Sequence, residues 1–203
     1  MNFYHSITTD KSWQLLLNLR KKYKFILIGG WAVFLYTRAL KSKDIDVVIE
    51  FSELEKLRDE FIITKNNRLK KYEAKAEGLD IDIYVPFYSN PGLPAEVLKE
   101  FVVNLEGFKV PQKEILAILK QKALIERTGT VKGRKDLLDL VSLFLLSDFN
   151  WDKYHQIISF NQLSDHLRFT GEILTKTTKI EELDLNIHKM ARLKKQIFPY
   201  LNS

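Results

Sequence analysis

Asp44 and Asp46 stand two residues apart in the run Lys43-Asp44-Ile45-Asp46-Val47-Val48, and Asp80 and Asp82 repeat the spacing in Leu79-Asp80-Ile81-Asp82-Ile83. Residues i and i+2 of a β-strand project from one face with Cα atoms about 6.5–7 Å apart, so each pair can aim two carboxylates at one point. Carboxylates suit Mg²⁺, a hard cation that prefers oxygen. Three of them are the minimum that holds two such ions, one ordering a triphosphate and one activating an attacking hydroxyl. Gly29-Gly30 adds a second signal: it follows an apolar run and opens a helical pattern. Backbone N–H groups and the positive dipole end at such a turn suit a phosphate. Together these residues point to metal-dependent chemistry on a nucleotide phosphate.

The elements that must position them follow from periodicity. An amphipathic helix is expected over residues 11–22, a strand over Phe25–Ile28 and a helix over Trp31–Thr37. Ile45–Glu50 is rich in β-branched residues and forms the first acidic strand. Ser52 and Glu55 have capping-box spacing, predicting a helix from there to about Ile63. Arg68–Glu77 alternates weakly as a strand, and Leu79–Val85 alternates cleanly, with Asp80, Asp82 and Tyr84 on one face. A turn-rich loop spans Pro86–Pro94. Beyond Pro111 the pattern is almost entirely helical, with stripes at Ile115, Leu116, Leu119, Ala123, Leu124 and at Leu137, Leu140, Val141, Phe144, Leu145. The expected layout is an α/β half over residues 1–110 and a helical half over 111–203 that closes the cleft.

Composition narrows the class. With 203 residues, 45% hydrophobic and 29% charged, the chain is ordinary for a soluble globular protein. It has no cysteine, which excludes disulfides and thiolate metal sites. No apolar run approaches the roughly 20 residues of a membrane span, and Met-Asn-Phe-Tyr-His lacks the features of a signal peptide. A cytoplasmic location and no membrane partner are therefore expected. The net charge of +6 is unevenly spread: between Lys113 and Lys135 seven Lys/Arg face only Glu114 and Glu126. Such a focus can face phosphates, RNA included.

In order and spacing, Gly29-Gly30, Lys41-Ser42-Lys43-Asp44-Ile45-Asp46 and the later acidic strand resemble the nucleotidyltransferase superfamily of DNA polymerase beta. The variant is most similar to small prokaryotic nucleotidyltransferases, including toxins of abortive-infection toxin–antitoxin pairs. Lys120, Ala123, Arg127, Lys135, Asp136 and Asp139 match that group's downstream motif, so the resemblance covers roughly residues 25–145. It implies an α/β (α+β) nucleotidyltransferase fold, a small mixed sheet flanked by helices and followed by a helical region. It also implies Mg²⁺-dependent transfer of a nucleoside monophosphate from an NTP to a hydroxyl, on an RNA such as a tRNA 3′ end or on a protein side chain. An antitoxin protein is the implied partner.

Carried over by position, Gly29, Gly30, Ser42 and Lys43 would meet the nucleotide, Lys120 would neutralise the triphosphate and Asp136 would orient Lys120. Asp44 and Asp46 would bind two Mg²⁺ ions, with Asp82, or else Asp80, as the third carboxylate. The arginine often found before the Asp-x-Asp strand is not at its usual offset, and Arg38 or Lys41 is its expected substitute. Trp13, Trp31 and Trp151 are expected as core or helix-packing anchors, although Trp31 follows the turn directly and could pack beside the nucleotide. His5, His155, His166 and His188 have no metal-ligand spacing. Two other readings fit the same residues: an inactive nucleotide sensor on this fold, and a basic nucleic-acid-binding protein whose acidic strands are incidental.

Overall fold

The computed structural model describes residues 4–201. Helix α1 (Ser6–Lys22) leads into β1 (Ile26–Ile28), α2 (Gly29–Thr37), β2 (Ile45–Val48) and α3 (Phe51–Arg58). Strands β3 (Ile63–Asn66), β4 (Lys71–Ala76) and β5 (Leu79–Tyr84) follow, then the hairpin β6 (Val102–Leu105) and β7 (Phe108–Pro111). Helices α4 (Lys113–Glu126), α5 (Val131–Phe144), α6 (Trp151–Phe160), α7 (Ser164–Lys176) and α8 (Ile187–Leu201) complete the described chain. All seven strands join one mixed sheet in the order β3-β4-β5-β2-β1-β7-β6.

Two pairings matter for the site. β1 runs antiparallel to β2, with Ile28 opposite Asp46, and β2 runs parallel to β5, with Asp46 opposite Asp82. One rung of the sheet therefore reads Ile28, Asp46, Asp82, then Glu73 on β4 and Thr64 on β3. Alternation on β5 sends Leu79, Ile81 and Ile83 into the core and leaves Asp80, Asp82 and Tyr84 partly open. That is the pattern of a strand with one buried and one wet face.

Helix α1 buries Ser12, Leu15, Leu16 and Leu19 at helical spacing. Ser12 accepts the indole N–H of Trp31 at 2.9 Å. Trp31 is fully buried and anchors α2 in the core, as expected of it, and it does not line the cleft described below. Helices α4 and α5 pack against each other and against α2. Beyond them Phe144, Phe149, Trp151 and Tyr154 form an aromatic cluster, and Tyr200 of α8 stacks on Trp151 at 4.8 Å. No helix among the described residues is long and apolar enough to cross a membrane.

Three local expectations change. The Ser52/Glu55 capping box does not form: α3 starts from Glu50, with no side-chain cap, and ends at Arg58. Ile63 therefore begins a strand instead of closing a helix. Helix α2 starts at Gly29 itself.

Candidate active site

The glycine turn is shaped by its neighbours. Gly29 has φ +66°, and a Cβ on it would lie 2.1 Å from Asp46 Oδ2. Only glycine can stand there, because a side chain would displace the carboxylate and force a left-handed backbone. A Cβ on Gly30 would lie 2.7 Å from Ser42 Oγ and 3.6 Å from Lys135 Nζ. The first turn of α2 is thus wedged between Asp46 on one side and the Ser42 hydroxyl and Lys135 ammonium on the other. Ser42 in turn donates to the Asp44 carbonyl at 3.2 Å.

Gly29, Gly30, Ser42, Asp44, Asp46, Asp82, Lys120 and Asp136 all line one cleft, together with Tyr4, Tyr84, Arg127, Lys132, Lys135 and Asp139. Asp80 does not line it. It lies one residue pair along β5, opposite Lys75, whose ammonium is 3.7 Å away. Of the two candidates for third carboxylate, Asp82 is the one that sits beside Asp46. Lys43 also stands outside the cleft wall, with Nζ 3.9 Å from Asp44 Oδ1 and 5.7 Å from the Tyr4 ring centroid. Arg38 and Lys41, the expected substitutes for the missing arginine, do not line the cleft and pair with Glu106 and Asp10 respectively.

The opposite wall is a buried ionic network. Lys120 Nζ lies 3.0 Å from Asp136 Oδ1 and 2.7 Å from Asp139 Oδ2. Asp139 also pairs with Lys135, four residues before it, and Arg127 reaches Asp136 Oδ2 at 2.8 Å. Burial works to discharge Lys120, but Asp139 and Asp136 outweigh it and hold its pKa above the usual lysine range. Burial likewise opposes ionisation of Asp139, and Lys120 and Lys135 overcome it. Lys135 goes the other way: burial dominates the pull of Asp139, and the charge of Lys120 adds to the lowering. Two carboxylates thus lock the cations at fixed positions facing the glycine turn.

The carboxylate wall is strained by contrast. Asp46 has its pKa raised from 3.8 to about 7, first by burial and next by the charge of Asp82. Burial also raises Asp82, against the pull of Lys71. Lys71 Nζ sits 2.6 Å from Asp82 Oδ2 and 3.1 Å from Glu73 Oε1, and Lys132 Nζ sits 3.1 Å from Asp44 Oδ2. Asp46 has no ion-pair partner among the described residues. No three carboxylates or imidazoles among the described residues are gathered tightly around one point. The donor set nonetheless suits a hard divalent cation: all oxygen, one member destabilised by its own charge, and two members held by lysine ammoniums at the positions where positive charge is called for.

Lys71, Arg127, Lys132 and Lys135 are the site residues that spacing alone did not assign a role at the carboxylates or the glycine turn. Lys71 carries no local signal, because its partner Asp82 is reached only through the β4–β5 register. Lys132 lies in the first turn of α5, and its partner Asp44 is 88 residues away in the chain.

No protein-family model matches the chain, and no curated protein matches it either. Solved structures do. JHP933 from Helicobacter pylori superposes with a TM-score of 0.57 at 17% identity, covering 98% of this chain and 94% of that one. An H. pylori protein provisionally assigned as a nucleotidyltransferase gives 0.56 at 16% identity, covering 97% and 96%. At these identities the likeness is one of fold: the chain has a nucleotidyltransferase fold, near full length.

Proposed function

We propose that the chain is a nucleotidyltransferase that moves a nucleoside monophosphate from an NTP to a hydroxyl acceptor. The observation that carries this reading is one cleft that gathers Asp44, Asp46 and Asp82, the locked ammoniums of Lys120 and Lys135, and the Gly29-Gly30 turn wedged between Asp46 and Lys135. Transfer of this kind needs little covalent chemistry from the protein, and positioning and charge neutralisation do most of the work. Backbone N–H groups at the start of α2 bind the phosphate chain. Lys120 and Lys135 neutralise it without swinging, because Asp136 and Asp139 hold them.

Asp44, Asp46 and Asp82 would hold Mg²⁺, and the ammoniums of Lys71 and Lys132 lie against Asp82 and Asp44. When bound, Mg²⁺ supplies charge neutralisation at the phosphates and lowers the pKa of an oxygen bound to it. Asp82 orients the acceptor hydroxyl and takes its proton. The hydroxyl oxygen forms a bond to the α-phosphorus, the bond to the β-phosphate oxygen breaks, and pyrophosphate leaves past the lysine wall. The resemblance to abortive-infection toxins extends the proposal to a toxin restrained by an antitoxin protein.

The test is incubation with Mg²⁺ and each α-labelled NTP in turn, against separated RNA and protein fractions of a lysate. Label joins one fraction with wild-type protein and neither fraction with Asp44→Ala/Asp46→Ala. Full transfer by the double variant refutes the mechanism.

A further inference from the structure

The basic run that suggested a nucleic-acid face is paired throughout, with Lys120 and Lys135 buried. Each of its seven cations has a carboxylate partner: Lys113 with Asp148, Lys120 with Asp136 and Asp139, Lys122 with Glu126, Arg127 with Asp136, Lys132 with Asp44, Arg134 with Glu182, and Lys135 with Asp139. The cations without partners lie elsewhere. The β3–β4 hairpin carries Lys65-Asn66-Asn67-Arg68-Leu69-Lys70-Lys71, four cations and no acid. Lys65, Arg68 and Lys70 are exposed and make no ion pair among the described residues.

The hairpin tip is built, not loose. Asn66 Oδ1 accepts the Leu69 N–H at 2.9 Å, and its Nδ2 donates to Glu73 at 3.1 Å. The Tyr88 hydroxyl donates to the Asn66 carbonyl at 3.3 Å and lies 3.1 Å from Asn67 Oδ1. The ammoniums of Lys65 and Lys70 sit 4.5 and 5.4 Å from the Tyr88 ring centroid, which fixes their direction. Lys71, the first residue of β4 and paired with Asn66 beside the tip, reaches the cleft wall at Asp82. A row of uncompensated cations thus leads to the carboxylate assigned to the acceptor hydroxyl.

Resting on the transfer reading above, we infer that the β3–β4 hairpin is the acceptor's docking arm, and that the acceptor is the 3′ end of a single-stranded polynucleotide held by its phosphates. Flexible single strands fit a narrow cationic row of this kind, and their affinity is carried by phosphate contacts.

The experiment is fluorescence anisotropy with a short labelled single-stranded RNA, without NTP, across a salt series. Wild-type protein is compared with Lys65→Ala/Arg68→Ala/Lys70→Ala and with Lys113→Ala/Lys122→Ala, whose lysines are paired. The hairpin variant loses about tenfold or more in affinity, and its log–log salt slope falls by about 2, as expected for three lost phosphate contacts at ~0.7 each. Its melting temperature and NTP affinity stay at wild-type values, and the helix variant keeps the wild-type slope. An unchanged slope in the hairpin variant overturns the inference. So does wild-type KM for the acceptor in the transfer assay, or label passing only to protein. RNA binding that depends on the hairpin but is never followed by transfer leaves the arm standing and refutes the reaction instead.

Discussion

Replacing Asp46 by Asn should make the metal-free protein more stable, and only above mildly acid pH. Asp46 is ionised with difficulty because it is enclosed by protein and lies beside Asp82. Its pKa is 3.8 unfolded and about 7 folded. Below pH 3.8 the carboxyl is protonated in both states and carries no penalty. As pH rises through that value the unfolded chain gives up its proton while the folded chain keeps it, so stability falls, and the loss is complete above about pH 7. At 1.36 kcal/mol per pH unit the full span corresponds to about 4 kcal/mol. The side chain keeps some contact with the open cleft, and solvent there reduces the effect to about 2 kcal/mol. For a chain of this size that moves the melting temperature by about 4–8 °C. Thermal melts in EDTA at pH 5 and pH 8.5 measure it: Asp46→Asn gains over wild type at pH 8.5, and the gain shrinks at pH 5. Added Mg²⁺ stabilises wild type at pH 8.5 and closes the gap. An equal gap at both pH values, or a variant less stable at pH 8.5, refutes the reasoning.

Gly29→Ala meets both a positive φ and a Cβ contact 2.1 Å from Asp46. It should cost at least about 1–2 kcal/mol in urea unfolding and abolish transfer, because the displaced atom is a carboxylate oxygen. A soluble, fully active Gly29→Ala protein would show that the turn is not wedged as described. Lys120→Met leaves Asp136 and Asp139 buried with fewer compensating charges, a loss of about 3–5 kcal/mol by the same measurement. Lys122→Met, on the same helix but half-exposed and paired only with Glu126, should cost under about 1 kcal/mol.

How far the chain could be read depends on the range of the forces involved. Asp46 and Asp82 were legible because each stands in an alternating strand. Asp44, however, lies in a bend just before β2 and Asp80 lies off the cleft, so i, i+2 strand spacing brings neither pair together there. Gly29-Gly30 was legible as a turn between strand and helix patterns. The choice of Asp82 over Asp80 needed the β2–β5 register, which no local pattern contains. Strand β3 escaped because Ile63-Thr64-Lys65-Asn66 is a polar edge strand without an alternating apolar face. The β6–β7 hairpin turns on Glu106 and Gly107, both at positive φ, a weaker signal than Asn-Gly. The seven cations of residues 113–135 looked like a binding surface in one dimension; three of their partners, Asp44, Asp148 and Glu182, come from distant segments. Charge counted along a chain does not say which charges remain unpaired after folding.

The central claim is that this cleft transfers a nucleoside monophosphate. Parallel reactions with α-labelled and γ-labelled ATP, Mg²⁺ and the RNA and protein fractions test it most directly, repeated for the other NTPs. The account predicts α-label on the acceptor, γ-label in pyrophosphate, and neither with Asp44→Ala/Asp46→Ala. Gamma-label on the acceptor would mean terminal phosphoryl transfer instead, and no release of pyrophosphate with any NTP would contradict the assignment outright.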